Sequence, residues 1–146
     1  MSNATHEMLQ KIATRELDKA SEQLALANKQ VNEAKTQLEL LKNYREENLT
    51  RYNEALSVGM SIDLLQNYQR FLLKLDQAIS GQNATVDNLL NLSKNQLAIW
   101  QSCQMKKLSY DVMANRAQQR SKLMELKHDQ KMMDEYASRS KKSAYL

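Results

Sequence analysis

The chain has no proline and only two glycines among its 146 residues. Because proline and glycine are the residues that most often interrupt helices, their scarcity predicts almost continuous helix. There is one tryptophan and one phenylalanine, and the mean hydropathy is -0.70. Aromatic residues supply much of the buried area of a compact domain, so these values exclude a thick globular core and favour the narrow seam of a coiled coil.

Cysteine and long apolar runs are also scarce. Cys103 is the single cysteine, which excludes an intrachain disulfide and a cysteine-rich zinc site. No apolar run approaches the ~18 residues of a membrane span, and residues 1–7 lack a basic region leading into an apolar one. We therefore expect no signal peptide, no membrane insertion and a cytoplasmic location.

Residue types used in catalysis are not clustered in the sequence. His6 and His128 have no second His or Cys at metal-ligand spacing. His128 and Asp129 are adjacent on a predicted helix, so their side chains diverge and cannot form an oriented pair. The sequence predicts no enzymatic activity, no cofactor and no metal site.

The chain reverses direction in the segment Ser-Val-Gly-Met-Ser, residues 57–61. Gly59 can adopt a positive φ that ends a helix, and Ser61 can cap the next one. Asp63 suits the positive end of that second helix, which disfavours the alternative of one kinked helix. We predict a single all-α domain with a first helix over about 8–57, a turn over 58–61, a second helix over about 62–138, and a frayed segment 139–146.

The first predicted helix carries apolar residues at alternating steps of four and three. This heptad pattern predicts a coiled-coil seam. Its members are Ala13, Leu17, Ala20, Leu24, Ala27, Val31, Ala34, Leu38 and Leu41. The next positions are Arg45 and Asn48, which predicts a stutter in the register there and leaves Tyr44 on the flank of the seam, available to a partner.

The second helix repeats the same alternating steps after the turn. Its members are Leu65, Tyr68, Leu72, Leu75, Ile79, Gln82, Val86, Leu89, Ser93, Gln96, Trp100 and Cys103. The polar members are of the kind that fix register at a cost in stability. If the chain turns at Gly59, Ala13 lies near residue 106. The architecture is thus an antiparallel coiled-coil hairpin whose longer C-terminal helix overhangs by some 30 residues, about 45 Å.

The overhang concentrates positive charge. Residues 1–100 carry 11 Lys or Arg against 12 Asp or Glu, whereas residues 101–146 carry 10 against 5. Such an excess predicts an acidic partner. The candidate partner-facing residues are Lys106, Lys107, Arg116, Arg120, Lys122, Lys127 and Lys131. The same region has an apolar stripe through Tyr110, Ala114, Ala117, Ser121 and Met124, which fits either partner binding or further coiled-coil core.

Several motifs follow one another along the chain. They are LKNYR (41–45), GMS (59–61), NYQRFLLKLDQAI (67–79), Trp100, KKL (106–108) and DQKMMDEYA (129–137). Together they resemble the motifs of the flagellar export protein family FliJ. The resemblance spans about residues 10–140 and keeps the order and spacing of the motifs. It implies a long antiparallel coiled coil, similar to the stalk of rotary ATPases, at the inner face of the cell membrane at the flagellar base.

The resemblance also implies partners. These are the hexameric export ATPase FliI and its regulator FliH, the export-gate protein FlhA, and export chaperones, with the protein acting as an escort without catalysis. The family's gate and chaperone patch corresponds to Gln37, Leu41, Tyr44, Phe71, Leu75 and Ala78. The family often has an aromatic residue at position 48 and His at position 82, where this chain has Asn48 and Gln82, so those two are not carried over.

Two other functions remain open from the sequence. One is a basic coiled coil that binds nucleic acid through its C-terminal third, but Asp129, Asp134 and Glu135 dilute that positive face, so nucleic acid is not an expected partner. The other is a purely structural coiled-coil oligomer.

Overall fold

The computed structural model describes residues 2–144 and consists there of two long helices joined by a short turn. Helix α1 spans Asn3–Val58 and helix α2 spans Ile62–Ala144, with 56 and 83 residues respectively. The two helices pack antiparallel, and no β-strand occurs among the described residues. This confirms the all-α coiled-coil hairpin with a longer second helix.

Both outer ends of the helices differ from the predicted boundaries. Ser2 caps α1, because its carbonyl oxygen accepts from the Thr5 and His6 amides and its Oγ accepts from the Thr5 amide at 3.2 Å. The helix therefore begins well before residue 8. At the other end α2 continues past residue 138 to Ala144, while positions 145–146 of the predicted frayed segment lie outside the described residues.

The turn contains the helix-capping interactions that its residue types predict. Gly59 has a φ of +99° and donates to the Ala55 carbonyl at 3.1 Å, so it closes the last turn of α1. Ser61 caps α2, because its Oγ accepts from the Leu64 amide at 3.3 Å and its carbonyl accepts from the Leu65 amide at 3.0 Å. Asp63 lies in the first turn of α2, at the positive end of the helix dipole.

The chain divides into two compact units, which are described separately. The first, here called the turn unit, is Lys19–Trp100 and contains the turn. Its buried apolar residues are Ala20, Ala27, Val31, Ala34, Leu75 and Val86, all at predicted seam positions. The small alanines of α1 lie in the same seam as the larger residues of α2, which suits close antiparallel packing.

The predicted stutter after Leu41 is wrong. Arg45 is half-buried and Asn48 is only 6% exposed, so the alternating register runs through both. The Asn48 amide donates to the Tyr44 carbonyl at 2.7 Å, which satisfies it inside the seam. Arg45 is half-buried at a seam position, and its guanidinium donates to Asp76 on α2.

The second unit, here called the terminal unit, comprises the chain up to Asp18 and from Gln101 onward. Its two helical segments are joined by the Glu16–Lys106 ion pair at 3.3 Å and by a hydrogen bond from Gln10 to Asp111 at 2.9 Å. Contact between residues 16 and 106 agrees with the predicted register. The α2 seam ends at the half-buried Ala117, and every side chain from 118 to 143 is exposed.

Candidate partner-binding surfaces

Tyr44 and Phe71 form an aromatic pair across the two helices of the turn unit. Their ring centroids are 5.8 Å apart and the ring planes meet at 87°, an edge-to-face arrangement. Tyr44 is 46% exposed and Phe71 is 37% exposed. The pair thus fixes both rings in one orientation while leaving much of each ring accessible, as an aromatic contact site for a partner requires.

The other residues predicted for this patch differ in solvent exposure. Gln37 and Ala78 are exposed, and the Oε1 of Gln37 accepts from Gln82 Nε2 at 3.3 Å. Leu41 is half-buried. Leu75 is only 6% exposed, so its side chain belongs to the seam one turn beyond Phe71 and has almost no surface of its own to offer.

Arg45 and Asp76 form an ion pair that joins the two helices close to the aromatic pair. The hydrogen bond from Arg45 to Asp76, reinforced by their Coulombic attraction, raises the pKa of the guanidinium above its ordinary value. Both side chains remain substantially exposed, so water screens the attraction. The pair links α1 to α2 beside the Tyr44–Phe71 contact.

The cross-helix contacts of the turn unit divide into two flanks of the seam. The side on which Tyr44 meets Phe71 is called the Tyr44 flank, and the opposite side the Asp76 flank. Polar contacts join the helices along the Asp76 flank. They are Arg45–Asp76, Asn28–Ser93 at 2.6 Å, Ser21–Trp100 at 2.9 Å and Tyr52–Gln69 at 3.2 Å.

Exposed apolar residues on the Tyr44 flank extend beyond the predicted patch. Leu92 and Ile99 follow Phe71 on α2 and are 51% and 50% exposed. Sequence reasoning missed them because it counted only the seam. The signal that could have found them is the seven-residue spacing of Phe71, Ala78, Thr85, Leu92 and Ile99.

The candidate basic residues of the terminal unit fall into two groups. Lys106 pairs with Glu16, whose hydrogen bond and charge raise the pKa of the ammonium, and Lys107 pairs with Asp111 at 2.9 Å. Lys106 thus links α2 to α1, whereas Lys107 pairs within α2. The remaining five lie on exposed helix surface; they are Arg116, Arg120, Lys122, Lys127 and Lys131.

Asp111 is a carboxylate of this unit with two hydrogen-bond partners. It receives hydrogen bonds from Lys107 and from Gln10 of α1, and these lower its pKa below the ordinary value. The pair Gln10–Asp111 ties the first turns of α1 to α2.

Beyond Ala117, α2 exposes large apolar side chains among the basic ones. Met124, Met133 and Tyr136 are all largely exposed, as are Leu123 and Leu126. Of the predicted apolar stripe, Tyr110, Ala114 and Ala117 are half-buried against α1, whereas Ser121 and Met124 are exposed. Exposed methionine is adaptable and is common on surfaces that accept a partner.

Within residues 2–144, no set of three or more His, Cys, Asp or Glu side chains is arranged to hold a metal ion. Neither described helix contains a segment long and apolar enough to cross a membrane.

Comparison with known proteins gives one consistent family. The family model described as Flagellar FliJ protein matches residues 5–143. The Flagellar FliJ protein of Escherichia coli strain K12 is 26% identical over 132 residues, covering 90% of this chain and 90% of the relative. That of Salmonella typhi is 26% identical over 134 residues, covering 92% and 91%, and that of Buchnera aphidicola is 27% identical over 107 residues, covering 72% of each. Since the match includes both helices and the turn between them, the chain belongs to the FliJ family of flagellar proteins.

Proposed function

We propose that this chain is a non-enzymatic component of the flagellar type III export apparatus. In this role it is a stalk-like coiled coil that engages the ring of the export ATPase FliI and its regulator FliH. It also contacts the export gate FlhA and escorts export chaperones. Membership of the FliJ family supports the export role, and the two exposed surfaces of the hairpin support the assignment of separate partners to separate regions.

The observation that carries the ATPase assignment is the stretch of α2 from 118 to 143. It is helical and exposed throughout, and α1 does not cover it. An isolated helix of this length is marginal in water, so a surrounding partner would stabilise it. Exposed methionines and basic side chains suit a ring whose subunits present apolar surface edged by carboxylates.

The gate and chaperone assignment falls on the Tyr44–Phe71 pair and its neighbours Gln37, Leu41 and Ala78. Aromatic residues held in one orientation make strong contact sites because little side-chain entropy is lost on binding. Leu75 contributes by packing in the seam beneath this surface and not by touching a partner. The location that follows from these partners is the cytoplasm, peripherally at the inner face of the membrane at the flagellar base.

The proposal is tested by separating the two surfaces with purified cognate proteins. One variant replaces Tyr44 and Phe71 by Ala, and a second replaces Arg120, Lys122, Lys127 and Lys131 by Ser. The first is expected to lose binding to the FlhA cytoplasmic domain and keep FliI binding. The second is expected to lose FliI binding and keep binding to the FlhA cytoplasmic domain. Loss of neither interaction, in variants whose circular dichroism is unchanged, would contradict the proposed division of surfaces.

A further inference from the structure

The side of α2 that faces away from α1 carries a heptad stripe of its own in the terminal unit. It is called here the outer stripe, and its members are Val112, Arg116, Gln119, Leu123, Leu126, Gln130, Met133 and Ala137. They follow one another at strictly alternating steps of four and three over about 38 Å of helix. The half-buried positions that meet α1, among them Tyr110, Ala114 and Ala117, lie on the opposite side of the same helix. The outer stripe is therefore independent of the hairpin seam.

The apolar members of the outer stripe have no cover within the chain. Val112, Leu123, Leu126 and Met133 are 41%, 53%, 66% and 73% exposed. A seven-residue apolar repeat is the sequence pattern of a coiled-coil face. From residue 118 onward α2 is helical without any packing against α1, and a lone helix of this length is marginal in water. Both observations indicate that a second helix covers this face.

The outer stripe is complementary to itself when a second copy of the chain lies antiparallel to it. The two-fold axis then passes between Leu123 and Leu126. The layers pair Leu123 with Leu126, Gln119 with Gln130, Val112 with Ala137, and Arg116 with Met133 of the second copy. Leucine meets leucine at the centre, and each glutamine amide meets another amide to which it can donate and from which it can accept. The stem of Arg116 can cover Met133 while its guanidinium stays in water.

A shift of the second copy by one heptad removes this match. In one direction the shift places Leu126 against Gln130, and in the other it places Leu126 against Arg116. The first shift also brings Asp129 against Asp129 of the second copy, and the second brings Lys122 against Lys122. Apolar layers opposite polar ones and repelling edges both lower stability, so the sequence favours one register.

The charges beside the outer stripe favour the antiparallel orientation. In an antiparallel pair the same edges of both helices meet, which brings Lys122 against Asp129 of the second copy, twice by symmetry. On the other edge Arg120 meets Lys127 and offsets part of this attraction. In a parallel pair each edge meets the opposite edge, so Lys122 meets Lys127 and Asp129 meets Asp134. No attraction between charges remains in the parallel arrangement.

From these observations we propose that the outer stripe of the terminal unit binds the same stripe of a second copy of this chain, antiparallel and in this register. Residues 112–137 carry five Lys or Arg against four Asp or Glu, so their net charge does not oppose the pairing. The dimer covers the part of α2 that α1 leaves exposed. Because the proposed ATPase contact uses the same length of α2, the dimer and the ATPase complex exclude each other. This consequence, unlike the dimer itself, rests on the proposed function.

The first test measures self-association of the full chain by sedimentation at micromolar concentrations. We expect Leu126→Lys to weaken the dimer by about tenfold or more, and the control Met124→Lys to change it by about twofold or less. Met124 is 72% exposed but lies outside the outer stripe. Since both side chains are exposed in the single chain, neither substitution should unfold the hairpin, and circular dichroism checks this. A wild-type chain that stays monomeric, or an equal loss in both variants, would overturn the proposal.

A charge reversal tests the orientation. Lys122→Asp should weaken the antiparallel dimer by about fivefold, because its carboxylate would meet Asp129 of the second copy. Adding Asp129→Lys should restore the association, since the two charges of the pair are then exchanged. In a parallel dimer the single substitution would instead strengthen association, because the new carboxylate would meet Lys127. A strengthened dimer would thus overturn the antiparallel arrangement.

Disulfide cross-linking tests the register. Chains with Gln119→Cys and chains with Gln130→Cys, both carrying Cys103→Ser, are oxidised alone and as a mixture. In the proposed register position 119 faces position 130, whereas the two copies of position 119 lie about 16 Å apart along the axis, too far for a disulfide. We expect cross-linking in the mixture and little in either chain alone. Efficient cross-linking of the Gln119→Cys chain with itself would overturn the register.

The cross-linked dimer also separates this inference from the proposed function. It is expected not to stimulate the ATPase FliI until the disulfide is reduced. A cross-linked dimer that stimulates FliI fully would support the dimer and contradict the ATPase assignment. A monomeric chain that stimulates FliI would overturn the dimer and leave the proposed function standing.

Discussion

The ring of Phe71 meets the ring of Tyr44 edge to face at 5.8 Å across the two helices of the turn unit. The Arg45–Asp76 ion pair joins the same two helices beside this contact. An edge-to-face pair contributes about 0.5–1.5 kcal/mol beyond the area it buries.

The pair is expected to matter more for binding than for folding. Tyr44→Ala and Phe71→Ala should each lower the free energy of unfolding by about 1 kcal/mol, and the double variant by less than their sum, because the rings share one contact. Each should weaken FlhA binding by about tenfold or more. Urea unfolding and a binding titration measure the two effects. Additive stability losses would show that the rings do not interact in solution.

Leu75 is expected to matter more for folding than for binding. Its 6% exposure places it in the seam, so Leu75→Ala should lower the free energy of unfolding by about 2–3 kcal/mol. The exposed Leu73 provides the control, since Leu73→Ala should change stability by about 0.5 kcal/mol or less. Equal unfolding midpoints for the two variants would contradict the seam position of Leu75. A binding defect in a Leu75 variant is thus interpretable only after its stability is known.

Asn48 is a buried polar residue whose replacement should stabilise the hairpin. Its amide donates to the Tyr44 carbonyl, which as a helix carbonyl retains a backbone partner. Asn48→Leu should raise the free energy of unfolding by about 1 kcal/mol, because an apolar side chain in the seam replaces a desolvated amide. Thermal unfolding of the two proteins at equal concentration measures the change. A lower midpoint for the Leu variant would mean that the seam at this position cannot accept a branched chain.

The first turns of α1 should loosen in acid. The hydrogen bonds from Lys107 and Gln10 lower the pKa of Asp111, so their contribution is fully present above the carboxylate's ordinary pKa. It is lost as the pH falls through the lowered, folded-state pKa. Amide exchange protection of residues 3–10 should therefore differ between wild type and Asp111→Asn at about pH 6, and the difference should vanish at about pH 2. A difference that persists in strong acid would exclude the carboxylate as its cause.

The sequence predicts much of the fold because one physical signal, the seven-residue repeat, determines both helices and their pairing. With the turn placed at Gly59, the pairing rule puts Tyr44 near residue 75, one helical turn from Phe71, whose ring it contacts in the structure. The predicted stutter at Arg45 and Asn48 is wrong, because polar residues can stay in a seam when their polar ends find partners. For Arg45 the partner is Asp76 and for Asn48 it is the Tyr44 carbonyl. The seven-residue repeat alone does not identify either partner.

The site was less predictable than the fold. The resemblance indicated both Leu75 and Phe71 for one patch, but the register separates them into seam and surface. The apolar row that ends at Leu92 and Ile99 was not predicted, because its seven-residue repeat lies beside the seam and not in it. The basic residues of α2 were found from charge alone, yet Lys106 and Lys107 prove to be paired with Glu16 and Asp111.

The most direct test of the proposed role uses a chain that ends after Gln118. This removes the exposed part of α2 and retains the Gln10–Asp111 and Glu16–Lys106 contacts of the terminal unit. The measurement is the stimulation of FliI hexamer formation and ATP hydrolysis by the wild-type and shortened chains. FlhA binding is measured in parallel. The stalk assignment predicts that the shortened chain loses the stimulation and keeps FlhA binding. Full stimulation by the shortened chain would contradict it.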